Sequence, residues 1–430
     1  MISSVARLVV LVALALAGWG VFRQYSARQV FENVSGIEGA LGAVWWDPGR
    51  SNYHAEAGVL YRDDLEIMDL DRAVEHLERA VELQPYSSAQ WVELARTYER
   101  LGRFEEAERA YLCSLELEQP STDYRWELAN FYMRVGRLDD AFFHLQKTVA
   151  EESDHMSSAV ALLVHARFDL AQIERVWPGD TVSRMRLLEL AIDWRANGRP
   201  GIGHDEVVAL WNRLLASEPP PTVEAGDAFV AYVFEAGRHA EARAGWADVA
   251  RRNGLVDPAY SAGANDVWDG GFEHPLSGAT LDWRTWPDQG FELVRAPGEG
   301  RHGTAAVRID FDGRHNVSLG NLQQLVMLEP GARYEIAFEA KTQSVTTEEG
   351  PGVWVLDPAH ERILYRGDGV VGTTDWTRYS GSFLVPADCG SAVVRVVRLP
   401  SRRIAGQIEG TFWLDDVSLR RASVLERSSS

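Results

Sequence analysis

Three alanines, Ala73, Ala107 and Ala141, stand 34 residues apart, and their surroundings repeat with them. Around the second the chain reads Trp91-x2-Leu94-Ala95-x2-Tyr98-x2-Leu101-Gly102-Arg103-x3-Ala107-x3-Tyr111. Around the third it reads Leu128-Ala129-x2-Tyr132-x2-Val135-Gly136-Arg137-x3-Ala141-x3-Leu145. Around the first only the later part is clean, with Ala73, Leu77, Ala80 and Pro85. A fixed period of this length marks units that cannot bury their apolar face alone and must stack on one another. The residue types fit paired helices. Ala95, Ala107 and Ala141 let two antiparallel helices approach closely, while Trp91, Tyr98 and Tyr132 fill the gap to the neighbouring unit. Gly102 and Gly136 stand where the first helix of each pair must end in a left-handed residue. Pro85 closes the first unit and Pro120 follows the second after a one-residue slip.

Period, small residues and turn glycine together resemble the tetratricopeptide repeat family. A degenerate fourth unit, Ala236-Gly237-Arg238-x3-Ala242-x3-Trp246, keeps the turn and the small residue. Between the third and fourth, helical spacing persists over Ser158–Ile173, Val182–Ala196 and Asp205–Leu215, interrupted at Pro178-Gly179, Pro200-Gly201 and Pro219-Pro220-Pro221. The reading is an α-solenoid over 55–254. The resemblance implies a concave face that docks a protein partner. In the same segment Trp91 and Trp126 are expected as packing residues.

The charge balance narrows the partners further. Basic residues number 43, only two of them lysine (Lys147 and Lys341), against 63 acidic ones, a formal net charge of −20. A nucleic-acid binder needs a basic patch or stripe, so no nucleic-acid partner is expected. From Asn265 onward the basic residues number 17 and the acidic ones 23, so most of the excess lies in the first 264 residues. That excess is either an ordinary solvated surface or an acidic groove for a basic partner segment. Two cysteines, Cys113 and Cys389, are too few for a disulfide framework or a zinc cluster.

After Pro258 the period changes from helical spacing to alternation punctuated by glycine. Strands are expected at Ala305–Phe311, Tyr334–Thr342, Gly352–Leu356, Thr377–Val385, Ala392–Leu399 and Thr411–Leu419. Gly270-Gly271-Phe272-Glu273, Leu281-Asp282-Trp283, Leu328-Glu329-Pro330-Gly331-x2-Tyr334, Asp375-Trp376-Thr377-Arg378-Tyr379 and Trp413-Leu414-Asp415-Asp416-Val417 follow in order. Together they resemble a carbohydrate-binding module of the galactose-binding-like jelly-roll class, covering 265–421. The resemblance implies a possible polysaccharide ligand and makes Trp283, Trp376 and Trp413 framework. It also suggests a structural calcium ion, the only cofactor in view, held by Glu273 with Asp415 or Asp416; the alternative is that these carboxylates cap turns or pair with arginines. Sugar binding needs exposed aromatic faces and polar groups, for which Trp286, Trp354 and Tyr365 are the candidates. Arg395 and Arg398, with Arg402 and Arg403, either contact an acidic polysaccharide or solubilise a strand and its loop.

No catalytic constellation stands out, and the chain is expected not to be an enzyme. The two G-x-G-x-x-G matches, at Gly298 and Gly367, open no helix within a βαβ unit. Asp415 and Asp416 should point to opposite faces of a strand, which rules them out as a glycosidase pair. At the N-terminus Leu8–Phe22 is free of charge, short for a span of about 20 residues. It reads as a signal anchor in the inner membrane with the body extracytoplasmic, or as a cleaved signal with the body periplasmic or secreted. The fold class is thus a membrane helix (1–28), a linker (29–54), an α-solenoid (55–254), a linker (255–264), a β-sandwich (265–421) and a disordered tail (422–430). The combination is similar to bacterial envelope proteins that accompany polysaccharide assembly or export. A pure protein scaffold is the alternative.

Overall fold

The computed structural model describes residues 4–118, 121–151 and 155–422, in two compact units, 1–178 and 179–430. Pro120 and all of the expected tail but Ala422 lie outside the described residues. The first unit carries helices α1 (Ser4–Asn33), α2 (Gly36–Trp46), α3 (Ser51–Asp63), α4 (Leu70–Leu83), α5 (Ser88–Arg100), α6 (Phe104–Leu117), α7 (Thr122–Arg134), α8 (Leu138–Glu151), α9 (His155–His165) and α10 (Leu170–Val176). The second begins with α11 (Thr181–Ala196), α12 (His204–Leu215), α13 (Val223–Glu235), α14 (His239–Arg252) and α15 (Pro258–Ser261). Ten strands follow: β1 (Arg284–Thr285), β2 (Phe291–Pro297), β3 (Ala305–Asp312), β4 (Leu319–Met327), β5 (Arg333–Val345), β6 (Gly352–Asp357), β7 (Arg362–Arg366), β8 (Gly372–Leu384), β9 (Ser391–Arg398) and β10 (Glu409–Arg421).

The repeat chemistry works as its residue types require. Ala73, Ala107 and Ala141 are fully buried. In the first hairpin, where α3 lacks the pattern, Gly58 supplies the close approach: a Cβ there would sit 2.5 Å from Leu77 Cγ. Gly102 and Gly136 are left-handed, and the next amide reaches back to the helix, Arg103 N to Tyr98 O and Arg137 N to Tyr132 O, both at 2.9 Å. The arginine after each glycine then stacks on the aromatic ring it has just met, Arg103 on Tyr98 (4.5 Å) and Arg137 on Tyr132 (4.6 Å). Each tyrosine hydroxyl donates to the preceding helix, to Glu78 at 2.5 Å and Glu108 at 2.8 Å. In the second unit Gly198 and Gly237 repeat the turn, and Arg199 stacks on Trp194 at 5.0 Å. The helical spacing over 158–173 is shared between α9 and α10, with left-handed Arg167 (φ 66°) in the turn between them.

Two segments read as linkers carry helix. Within 29–54, α1 runs on to Asn33 and α2 folds back along it, with Arg23 Nε donating to Trp46 O at 2.7 Å. Within 255–264, α15 buries Tyr260 edge-on against Trp268. α1 is long and apolar enough to cross a membrane by length and composition.

The strands form two five-stranded antiparallel sheets, ordered β1-β4-β9-β6-β7 and β2-β3-β10-β5-β8. Their inner faces enclose one core that includes Phe272, Trp283, Phe338, Phe412, Val353 and Val355 of β6, and Val394 and Val396 of β9. The six expected strands all form; β1, β2, β4 and β7 come in addition. The helices of this unit are fastened to the sandwich by fully buried Trp246, which meets Trp268 edge-on. Arg243 adds bonds to Tyr260 O and Asn265 O and an ion pair with Asp266.

Candidate functional site

Alternation along the strands decides what each sheet shows to its exterior. In the first sheet Leu322, Val394, Val396, Val353 and Val355 enter the core, so Gln323, Arg395 and Trp354 face outward. The register aligns them: Arg284 on β1 opposes Gln323, Gln323 opposes Arg395, Arg395 opposes Trp354, and Trp354 opposes Arg366 on β7. One row of side chains therefore crosses all five strands as Arg–Gln–Arg–Trp–Arg. The adjacent outward row, Leu325, Val393, Leu356 and Ile363, is wholly aliphatic.

Within the row, Arg395 donates through its Nε to Gln323 Oε1 at 2.8 Å. The Arg366 guanidinium lies over the Trp354 ring at 4.9 Å, and Trp354 Nε1 donates to Gly367 O at 3.2 Å. Arg284 donates to Ala279 O at 3.2 Å and Thr280 Oγ1 at 3.3 Å. Trp286 follows two residues on from Arg284, 42% exposed, its carbonyl held by Asn321 Nδ2 at 3.0 Å. So Trp354 and Arg395 stand in one outward row. Trp354, expected as an exposed platform, is buried instead (9% exposed) with Arg366 over its ring, and of the candidate aromatics only Trp286, just beyond β1, is well exposed.

Two other candidates do not join them. Tyr365 opposes core-facing Val355, and its ring packs inward, against the position a Cβ on Gly381 would take. Arg398 is buried (1% exposed) and holds loops together. It donates to Glu349 O at 2.9 Å, Thr347 Oγ1 at 3.2 Å, Asn316 Oδ1 at 3.3 Å, Gly406 O at 3.4 Å and also Val317 O.

The second sheet's outer face is charge-balanced. Trp413, expected as framework, lies outward beneath Lys341 (4.9 Å) and donates to Glu299 Oε2 at 2.5 Å. Arg308 pairs with Glu299 and Asp310 on the same face. Asp415 and Asp416 do not point to opposite faces. A bulge interrupts β10 here and Asp416 is left-handed (φ 50°), so both carboxylates meet the 299–305 loop. Asp415 accepts from Arg301 N (2.6 Å) and His302 N (3.2 Å), while Asp416 bonds His302 Nδ1. Glu273 accepts from Thr304 N at 2.8 Å and Thr304 Oγ1 at 2.5 Å. Burial, with Asp416 beside it, pushes the Asp415 carboxyl up to about 6. A calcium site needs six to eight oxygens converging on one point. Here N–H and O–H donors occupy the carboxylates, and among the described residues no group of three or more acidic, His or Cys side chains forms a metal site. As arranged, this cluster clamps the 299–305 loop.

In the first unit a groove of about 540 Å³ is lined by Arg62 and Asp63 on α3, Arg96, Glu99 and Arg100 on α5, and Glu127 and Arg134 on α7. It lies along the first helices of three successive hairpins. Its charges cancel in pairs: Arg62 with Asp63 and Glu93, Arg96 with Glu127, Arg100 with Asp63, and Arg134 with Glu99. The expected option of an acidic groove is not what this surface presents. The repeat residues Trp91, Tyr98, Ala107, Tyr132 and Ala141 serve packing, with Trp91 Nε1 donating to Pro85 O at 2.9 Å.

Between α3 and α4, His54 and His76 meet Nδ1 to Nδ1 at 3.1 Å, and burial lowers both from the ordinary imidazole range; His144 is lowered likewise. Arg79 and Pro48 O face His54, and Glu75 and Arg72 face His76. The folded unit holds these rings neutral, so the unfolded chain takes up protons first as the pH falls. Their contribution is complete above about pH 6.5 and is lost below it. Calorimetry should therefore show the first unit melting lower at about pH 5.5 than at about pH 7.5, with the difference reduced in His76→Gln. Equal midpoints would contradict this.

Helical repeats in front of an all-β sandwich define the class of protein. Residues 91–120 match the family model of the tetratricopeptide repeat. No curated protein matches the sequence. Among solved structures the chain is similar to the CBM22-1–GH10 modules of Clostridium thermocellum endo-1,4-β-D-xylanase 10B complexed with xylohexaose, at 18% identity and a TM-score of 0.27. That match covers 37% of this chain and spans only 29% of the xylanase chain. A CBM4 structure is similar at 18% identity over 36% of this chain and 99% of its own, TM-score 0.27. YrrB, a TPR protein with an unusual peptide-binding site, is similar at 13% identity over 53% and 98%, TM-score 0.26.

Proposed function

We propose that the chain is a membrane-anchored, non-catalytic adaptor of the bacterial cell envelope. Its α1 helix anchors it in the inner membrane with the soluble part outside the cytoplasm. The groove along α3, α5 and α7 docks a protein partner, and the outer face of the first sheet holds a glycan. The role that fits these parts is in polysaccharide assembly or export. The observation that carries the reading is the outward row Arg284–Gln323–Arg395–Trp354–Arg366, with exposed Trp286 two residues on from Arg284. Sugar rings offer an apolar face and a rim of hydroxyls, which such a mixed surface matches.

Affinity electrophoresis of the full chain in detergent micelles, through gels containing soluble polysaccharides, tests it. At least one polysaccharide should retard the protein. Trp286→Ala should abolish the retardation, while Trp376→Ala, on the outer face of the second sheet, should keep it. Retardation by none of them would leave a pure protein scaffold.

A further inference from the structure

Two groups of arginines in this protein contrast. In the first unit the carboxylates beside Arg62, Arg96 and Arg134 hold those guanidinium groups above their usual range, against the effect of burial. Those cations are already neutralised, and a ligand anion would have to displace Glu or Asp. In the outward row that crosses the first sheet the case is reversed, although Arg362 on the same sheet pairs with Asp357 and Asp388. Among the described residues, Arg284, Arg366 and Arg395 have no carboxylate within ion-pair distance, and no Asp or Glu stands in the row that carries them. Burial lowers Arg395, and no neighbouring anion offsets it. In a chain of net charge −20, three cations without anions along one register line are a site waiting for charge.

Their spacing says what kind. Arg284 and Arg395 are two strands apart, and so are Arg395 and Arg366. Neighbouring strands lie about 4.8 Å apart, so the cations recur roughly every 9.5 Å across the face. Nucleic-acid phosphates recur at about 3.4 Å along one strand, far too densely for this row. Side chains on one face of an extended peptide recur at about 6.7 Å. A disaccharide is close to the row's own period. Trp286 (42% exposed), following Arg284, and Ile363 (53% exposed) on β7 add apolar surface for sugar rings.

We infer that the outer face of the first sheet binds an acidic glycan carrying a carboxylate or sulfate on every second sugar, lying across the strands. This rests on the glycan reading of the same face and specifies its ligand class.

The test uses the full chain in detergent micelles with hyaluronan (one carboxylate per disaccharide), neutral dextran and xylan, and poly-glutamate. Hyaluronan should bind best, weaken on raising the salt, and lose about tenfold in affinity in Arg395→Gln, equivalent to about 1.4 kcal/mol. Arg366→Gln should act in the same direction, and an unchanged circular dichroism melt shows that the fold is intact. Equal binding of neutral and acidic glycans, indifferent to Arg395→Gln, overturns the acidic class while leaving the glycan face standing. Poly-glutamate bound as tightly as hyaluronan overturns it as mere charge attraction. Binding of no glycan at all overturns both readings.

Discussion

Gly270→Ala should unfold the sandwich unit more readily than any other single methyl added to this chain's Gly-Gly pair. A Cβ at 270 would stand 1.9 Å from Val417 O and 2.9 Å from Val417 C. Both are backbone atoms of β10, and Val417 N donates to Gly270 O at 2.8 Å. No rotamer change relieves a collision with the backbone of a central strand, so the strand or the 266–273 segment must move. Overpacking costs about 1–3 kcal/mol where side chains can give way, and more where they cannot. We expect a loss of about 3 kcal/mol or more, a fall of roughly 6–12 °C in the unit's melting temperature. Gly271→Ala is the control. Its nearest neighbours, Asp415 Oδ1 and Glu273 Cγ, lie at 3.8 Å, an ordinary contact, so it should melt close to the parent. Calorimetry that found the two variants alike would remove the close-packing account of this motif.

Arg398→Met should destabilise the same unit by about 3–5 kcal/mol, because it deletes a buried cation that serves five acceptors. Glu349 O, Val317 O and Gly406 O would remain without this donor, and each unmet buried acceptor costs about 1–3 kcal/mol. Arg395→Met, three residues earlier on the same strand, should do the opposite. It gives up one partner, Gln323, so stability should change by less than about 1 kcal/mol while glycan binding falls. The pair separates two arginines that alternation sends to opposite faces of β9. Reversed phenotypes, with Arg398→Met stable and defective in binding, would show that the outward face has been misassigned.

What could be read in the sequence, and what could not, follows from whether the signal is local. Ala107, Gly102 and Arg103 act within one helical hairpin, and each does what its residue type requires. Strand β4 escaped because its pattern does not alternate cleanly: Asn321 and Gln324 are buried among the apolar residues. Gln324 is spent on Trp268, accepting from its N–H and donating to its carbonyl at 2.8 Å each. Asp416 escaped for a different reason, since only the left-handed bulge brings its carboxylate to the side of Asp415. Tyr365 and Trp354 looked equivalent as lone aromatics, yet pairing puts them on opposite faces. The cationic row was not visible at all beyond Arg395. Arg284 and Arg366 join it only through the strand order β1-β4-β9-β6-β7, which no spacing along the chain reports.

The most direct test of the glycan face is hydroxyl-radical footprinting of the full chain in detergent micelles, with and without saturating hyaluronan. Trp286 is 42% exposed in the free protein and should be protected, while Trp45 (73% exposed) and Tyr86 (84% exposed), both in the first unit, should react as before. Protection of Trp376 in place of Trp286, or no change at Trp286 at concentrations that saturate binding, would contradict the account.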